Sequence, residues 1–163
     1  AKIILKVNNL VDQGIISRLY TASQSGVEIK MIVRGMCSLK PGIKGLSENI
    51  QIISIVDRFL EHPRVMYFHN EGNSKLYISS ADWMSRNLDS RIEVGTPILS
   101  PVLKQRIFDI LDIQLKDNQK ARIIDKNQTN QYVKRGNKKK LQSQIAIYDF
   151  LKEIESNASH EDN

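Results

Sequence analysis

His62 precedes a β-branched and aromatic run, Val65-Met66-Tyr67-Phe68, and Arg64 follows it two positions later. Further along stand Lys75, Ser79, Ser80 and Asp82. Imidazole can attack phosphorus as a nucleophile or protonate a leaving oxygen. Arginine, lysine and serine beside it suit a phosphoryl group, whose oxygens need fixed positive charge and hydrogen-bond donors. A second candidate is Arg34, directly after an apolar run and ahead of a loop containing Gly35, Pro41, Gly42 and Gly45. In open α/β sheets ligands collect beyond the carboxyl ends of strands. An arginine fork there suits bidentate phosphate contact, and pairing with an acid at the rim is the plainer alternative.

The elements that must position these residues follow from hydropathy. Ile3–Val7, Val27–Val33, Ile50–Ile55, Val65–Phe68 and Leu76–Ile78 read as strands, with a sixth expected over Arg91–Gly95 and a last over Ala121–Ile124. Asn8 and Asn9 are cap-type residues before a helix whose apolar positions run from Leu10 to Leu19, and Gly26 stops it. Strand, helix and strand in that order make a right-handed parallel βαβ unit. The two strands around Glu71-Gly72-Asn73 read as a hairpin. Pro101–Leu115 is the clearest helix, capped by Ser100, with Val102, Leu103, Ile107, Ile110 and Leu111 expected on its buried face. Leu141–Ile154 is expected to close the fold. The division is therefore one α/β domain over 1–155, a mixed sheet flanked by helices, and a polar tail, 156–163, that frays.

Composition bounds the rest. A chain of 163 residues can bury roughly 70% of its unfolded surface. Cys37 is the single cysteine, so no intrachain disulfide forms and a reducing, cytosolic compartment is the natural reading. No apolar run approaches a membrane span, and Lys2 and Lys6 interrupt what a signal peptide would need. The chain opens on a strand-like run and is expected to be cut from a longer protein. Between Lys116 and Lys140 nine Lys/Arg face two Asp, a local balance of +7 in a chain whose formal charge is +6. Such a surface attracts polyanions, or is simply a solvated basic face. Lys138, Lys139 and Lys140 read first as a solvated run leading into a helix and second as a polyanion contact. There is no Walker loop, zinc-spaced Cys/His set, GxSxG elbow or protein-kinase signature. Asp57, Asp82 and Asp89 have no spacing that makes a metal site.

The histidine, the basic residue after it, and the later Ser79-Ser80-Ala81-Asp82 turn resemble the phospholipase D superfamily. Arg64 stands where that pattern has lysine, and Asp82 near where it has asparagine. Both departures fit one branch. Val33-Arg34-Gly35 with Cys37 and Pro41-Gly42, Arg58-Phe59-Leu60-Glu61-His62, and Ser79-Ser80-Ala81-Asp82-Trp83-Met84 with Arg86-Asn87 resemble the polyphosphate kinase family. So do Arg91-Ile92-Glu93, Lys104-Gln105-Arg106, Arg135-Gly136-Asn137 and Ala146-Ile147-Tyr148-Asp149. The resemblance runs from Ile3 to Leu151.

It implies the C-terminal, phospholipase-D-like domain of an enzyme that reversibly transfers the terminal phosphate of ATP to polyphosphate with Mg2+. The phosphorylated histidine would lie in a preceding phospholipase-D-like domain of the same polypeptide. His62 matches the second active-site histidine, Arg34 an arginine that contacts ATP phosphates, and Arg91 a basic residue lining the phosphate path. The implied partners are ATP, ADP and polyphosphate. The implied enzyme is a cytoplasmic homo-oligomer, able to associate peripherally with membrane. Two other readings stand beside it: a phospholipase-D-type phosphodiesterase or nuclease pairing two copies, and a polyanion-binding module without catalysis. An aromatic content of 6% argues against a base-stacking platform.

Overall fold

Short β-branched runs that alternate between two apolar faces must be covered on both sides, and seven such strands form one mixed sheet. The computed structural model describes residues 1–161, with side chains through residue 157. The strands are β1 (Lys2–Val7), β2 (Glu28–Val33), β3 (Ile50–Ile55), β4 (Arg64–Phe68), β5 (Lys75–Ser79), β6 (Gly95–Pro97) and β7 (Ala121–Ile124). The helices are α1 (Gln13–Gln24), α2 (Ser85–Asp89), α3 (Pro101–Leu115) and α4 (Ser143–Glu161). Sheet order is β6-β5-β4-β1-β2-β3-β7. β1, β2 and β3 run parallel; β4, β5, β6 and β7 join antiparallel.

On one face Leu5, Val7, Ile29, Met31, Val33, Ile50 and Ile52 bury against Ile16 and Leu19 of α1. On the other, Ile4, Ile32, Ile55, Val65 and Leu76 meet Leu111 of α3, with Ile107, Phe108 and Leu115 packed beside it. The expected apolar face of α3 holds at Ile107 and Leu111 and fails at its first turn. Val102 and Leu103 are exposed, because the strand just before that turn, β6, is itself exposed and offers no core.

Three local expectations differ from the structure. Asn8 and Asn9 do not cap α1; Asp12 does, its carboxylate accepting from the Ile15 amide at 2.8 Å. The sixth strand is Gly95–Pro97 rather than Arg91–Gly95. Glu93 is drawn out of the ladder by the Ser80 hydroxyl and the Asn87 side-chain amide, and pairing starts only where Gly95 meets Ser79. Pro97 then sits on an edge strand, where a missing N–H is tolerated. The closing helix starts at Ser143 and continues to Glu161, through much of the segment expected to fray. Its start is fixed by Asp117, which accepts the Ser143 amide at 2.7 Å and the amides of Gln119, Lys120 and Ala121 at 2.7–3.0 Å.

Candidate active site at the sheet edge

The strand directions bring one set of chain ends to one edge. β1, β2 and β3 are parallel, so their carboxyl ends share it. The antiparallel neighbours β4 and β7 begin there, with Val65 opposite Lys6 and Ala121 opposite Ile55. β5 finishes there and β6 starts there, Ser79 lying opposite Arg64 and Gly95. His62, Arg34, Asp82 and the Arg91 segment therefore collect at the same edge, although they are scattered along the chain.

Asp82 is the hub. It is 4% exposed, and its carboxylate accepts the backbone amides of Asn8 (2.8 Å) and Asn9 (3.1 Å) and their side-chain amides (3.3 and 3.1 Å). Arg64 adds a two-pronged contact, Nε to one oxygen and Nη2 to the other, each at 3.1 Å. Burial works to raise the Asp82 pKa, but the Arg64 bond and the Asn9 and Asn8 amides outweigh it and hold the group at about 2. The residue standing near an expected asparagine is thus a permanent carboxylate that fixes an arginine.

Arg64 in turn lies against His62. Its Nη1 is 2.9 Å from Nδ1 and 3.1 Å from the His62 carbonyl, and its Nη2 is 3.1 Å from Nε2. A guanidinium donates only to a ring nitrogen that carries no proton, so which of the two ring contacts is a hydrogen bond depends on the tautomer. Glu61, the preceding residue, is anchored from below. Lys6, 5% exposed next to the carboxyl end of β1, places its ammonium 2.5 Å from the Glu61 carboxylate, which also accepts from Gln114 of α3 at 2.7 Å. Burial depresses the Lys6 pKa, Glu61 opposes that, and the charge of Arg34 adds to it.

Arg34 reaches the same network from the other side, its Nε donating to the Asn8 side-chain oxygen at 2.7 Å. Its terminal amino groups make no hydrogen bond among the described residues, which leaves a fork for a ligand. Gly35 is required by close approach: a Cβ there would lie 2.6 Å from the Asn9 side-chain oxygen and 3.0 Å from the Asn8 carbonyl. The Asn9 oxygen is fixed by the Met36 amide at 2.9 Å. A continuous chain, Arg34–Asn8–Asp82–Arg64–His62, therefore joins two of the three candidate residues.

Arg91 is not part of that chain. It is exposed, between α2 and β6, and bonds to neither Arg34 nor His62. Its link to the cluster is through charge. The Glu93 carboxylate, held by Ser80 and Asn87, has a lowered pKa, first from those hydrogen bonds and then from the Arg91 and Arg64 charges. Ser79 and Ser80 make turn hydrogen bonds, Ser79 to the Ala81 amide at 3.0 Å and Ser80 to Glu93. Trp83 packs half-buried against the α1-side core. Exposed apolar side chains, Met36, Val56, Phe59, Leu60, Ile92 and Val94, rim this edge.

Sequence patterning gave Asn8, Asn9, Lys6 and Glu61 no part in the site, and it read the two asparagines as caps. The one available signal was a lysine inside a β-branched strand, where an ammonium needs a partner. Among the described residues no group of three His, Cys, Asp or Glu side chains lies close enough to hold a metal, and no helix is long and apolar enough to cross a membrane.

Comparison with known proteins supplies the last observation. The family model described as polyphosphate kinase C-terminal domain 2 matches residues 1–144. A polyphosphate kinase of Vibrio vulnificus (strain YJ016) is 64% identical over 155 residues, which is 95% of this chain and 22% of that protein. The chain thus spans about a fifth of the curated relatives it matches. The crystal structure of polyphosphate kinase from Porphyromonas gingivalis superposes with a TM-score of 0.93 at 47% identity, over 96% of this chain and 24% of that one. Nuc from Salmonella typhimurium, a phospholipase D family member, superposes at 0.59 with 14% identity, over 77% of this chain and 82% of that one, a likeness of fold alone.

Proposed function

Because the chain belongs to the polyphosphate kinase family as its C-terminal domain, we propose that this sheet edge forms half of the site that transfers phosphoryl groups between ATP and polyphosphate. The carrying observation is the network from Arg34 to His62, which holds a free guanidinium fork and an oriented imidazole at one edge. The other half comes from a preceding domain of the same polypeptide, whose histidine takes the phosphoryl group. The apolar rim of Val56, Phe59, Leu60 and Ile92 suits burial against that domain.

Each side chain has a task in that reading. In-line attack by the partner nitrogen forms an N–P bond as the bridging P–O bond breaks and its electron pair moves to the ADP oxygen. Arg34 binds the equatorial oxygens with both terminal amino groups, and Arg91 adds charge along the chain's path. Arg64, immobilised by Asp82, orients the ring of His62. Both ring nitrogens lie against Arg64 here, so in this reading the ring swings off the guanidinium for one nitrogen to carry an N–H to the leaving oxygen. Arg64 is therefore a positioning residue, and His62 the group that touches phosphate.

Magnesium would neutralise phosphate charge in such a transfer, but this chain's residues do not form a cage for it. Asp82 is saturated by amide and guanidinium donors, and Glu93 is held by Ser80 and Asn87. No step is assigned to a metal. The test is incubation of the full-length parent with ATP and Mg2+, followed by detection of acid-labile polyphosphate and of phosphohistidine. Absence of both would overturn the proposal; phosphodiester cleavage by this domain alone would replace it with the nuclease reading.

A further inference from the structure

The turn from Lys134 to Lys140 has no place in the site above, yet it holds the densest charge of the chain: Lys134, Arg135, Lys138, Lys139 and Lys140. It is a built turn. Gly136 has φ +56, a left-handed conformation that glycine adopts without penalty. The Lys138 amide donates to the Arg135 carbonyl at 3.3 Å, and the Arg135 guanidinium returns to the Lys138 carbonyl at 2.9 Å. Its far end is pinned to the α3–β7 loop, where Asn118 donates to the Lys139 carbonyl (2.9 Å) and accepts the Leu141 amide (3.0 Å).

The four lysines are exposed and make no ion pair or side-chain hydrogen bond among the described residues. Nearby acids do not neutralise them. Asp117 is 1% exposed and saturated by backbone amides. Asp57 accepts from Gln142 at 2.7 Å and lies 3.9 Å from Lys120. Field of one sign, on a fixed backbone, is therefore left facing solvent.

Position gives this charge a direction. Directly after the turn, Gln142 bonds Asp57, and Gln144 exchanges hydrogen bonds of 3.0 and 2.8 Å with the Phe59 backbone. Asp57 and Phe59 lead into His62, and five residues of chain span at most about 17 Å. The turn itself, residues 134–140, contains no aromatic residue. Tyr132 beside it is exposed, with Arg122 over one face of its ring, 4.0 Å from the centroid. Charge on a segment with no aromatic side chain of its own fits a polyanion that has no bases.

We propose that the 134–140 turn binds linear polyphosphate outside the catalytic edge, gripping the chain several phosphates away from the reacting one. This rests on the polyphosphate reading above. The turn would then affect long chains and leave ATP and short chains alone.

The test uses the full-length parent carrying Lys138→Gln, Lys139→Gln and Lys140→Gln together, with dye-labelled long-chain polyphosphate and with triphosphate as probes. The affinity for long chains is expected to fall about tenfold or more, and its dependence on log salt to flatten by about two, for three lost phosphate contacts. The KM for ATP and the affinity for triphosphate stay within twofold of wild type. The triple Lys→Arg variant keeps wild-type affinity, which separates lost charge from a damaged fold. Unchanged long-chain binding in the Gln variant overturns the proposal, as does an equal loss for triphosphate. Loss of binding to duplex DNA or to phosphatidylglycerol vesicles, with polyphosphate unaffected, assigns the turn to another polyanion and also overturns it. If the wild type makes no polyphosphate from ATP, the functional reading fails instead, and polyphosphate binding at the turn is still measured directly.

Discussion

Arg64 and Asp82 meet in a two-pronged pair, Nε and Nη2 each 3.1 Å from a separate carboxylate oxygen. These are the two positions at which the sequence departs from the phospholipase D pattern, and the structure makes them one change. A lysine ammonium cannot present two parallel donors, and an asparagine offers one oxygen instead of two. Arginine and aspartate replace that pair together, and the guanidinium still has an edge left for His62.

Replacing His62 with alanine in the full-length parent should lower turnover by roughly 10²–10⁴-fold, the range for a lost catalytic proton donor. Steady-state assay of ATP consumption decides it, and turnover equal to wild type would remove His62 from the chemistry.

Arg64→Lys and Asp82→Asn should be strongly non-additive. Each breaks the same contact, so a double-mutant cycle on kcat should give a coupling of about 1–3 kcal/mol. If Arg64 positions His62, Arg64→Lys also shifts the pH profile of kcat while KM for ATP stays near wild type. Additive effects with an unmoved profile would reduce the pair to a structural tie.

Acid should reach this site late. The Asp82 pKa is depressed from 3.8 to about 2, so its contribution is fully present above pH 3.8 and is lost as pH falls through about 2. The shift corresponds to about 2 kcal/mol. Carboxylate titration by NMR should show Asp82 still ionised at pH 3, its signal assigned by its loss in Asp82→Asn. A normal titration near 3.8 would contradict the hub.

Gly35→Ala should destabilise by about 1–3 kcal/mol, as overpacking does. The new methyl would meet the Asn9 oxygen, whose residue also donates to Asp82. Chemical denaturation measures the loss, and activity should fall with it because the displaced asparagine loosens the Arg64 anchor. A neutral substitution would mean that the loop after β2 moves freely.

What patterning could reach was the scaffold. β3 and α3 lie where apolar periodicity and the Ser100-Pro101 start signal put them, and β1, β2, β4 and β5 fall within a residue or so. The site was legible only as residue types. Asn8 and Asn9 look like caps locally, while their partner Asp82 lies 74 residues from Asn8. Lys6 could be seen to need a partner, but that it is Glu61, 55 residues on, depends on where β4 docks. β6 was displaced because Glu93 answers to Ser80 and Asn87 and not to its own strand propensity.

That separation of 74 residues also fixes an order of events during synthesis. A chain emerging from the ribosome can lay β1 against β2 as soon as both are out. The amides of Asn8 and Asn9 have no acceptor until Asp82 has followed, and before that β1 keeps one side open until β4, Arg64–Phe68, is out. Contacts this distant in sequence form slowly, and an open strand edge is a site for wrong pairing. Nascent or truncated chains ending between His62 and Asp82 would therefore carry both the histidine and the arginine of the candidate site, unassembled, while β3 still waits for β7 and leaves an edge that invites aggregation.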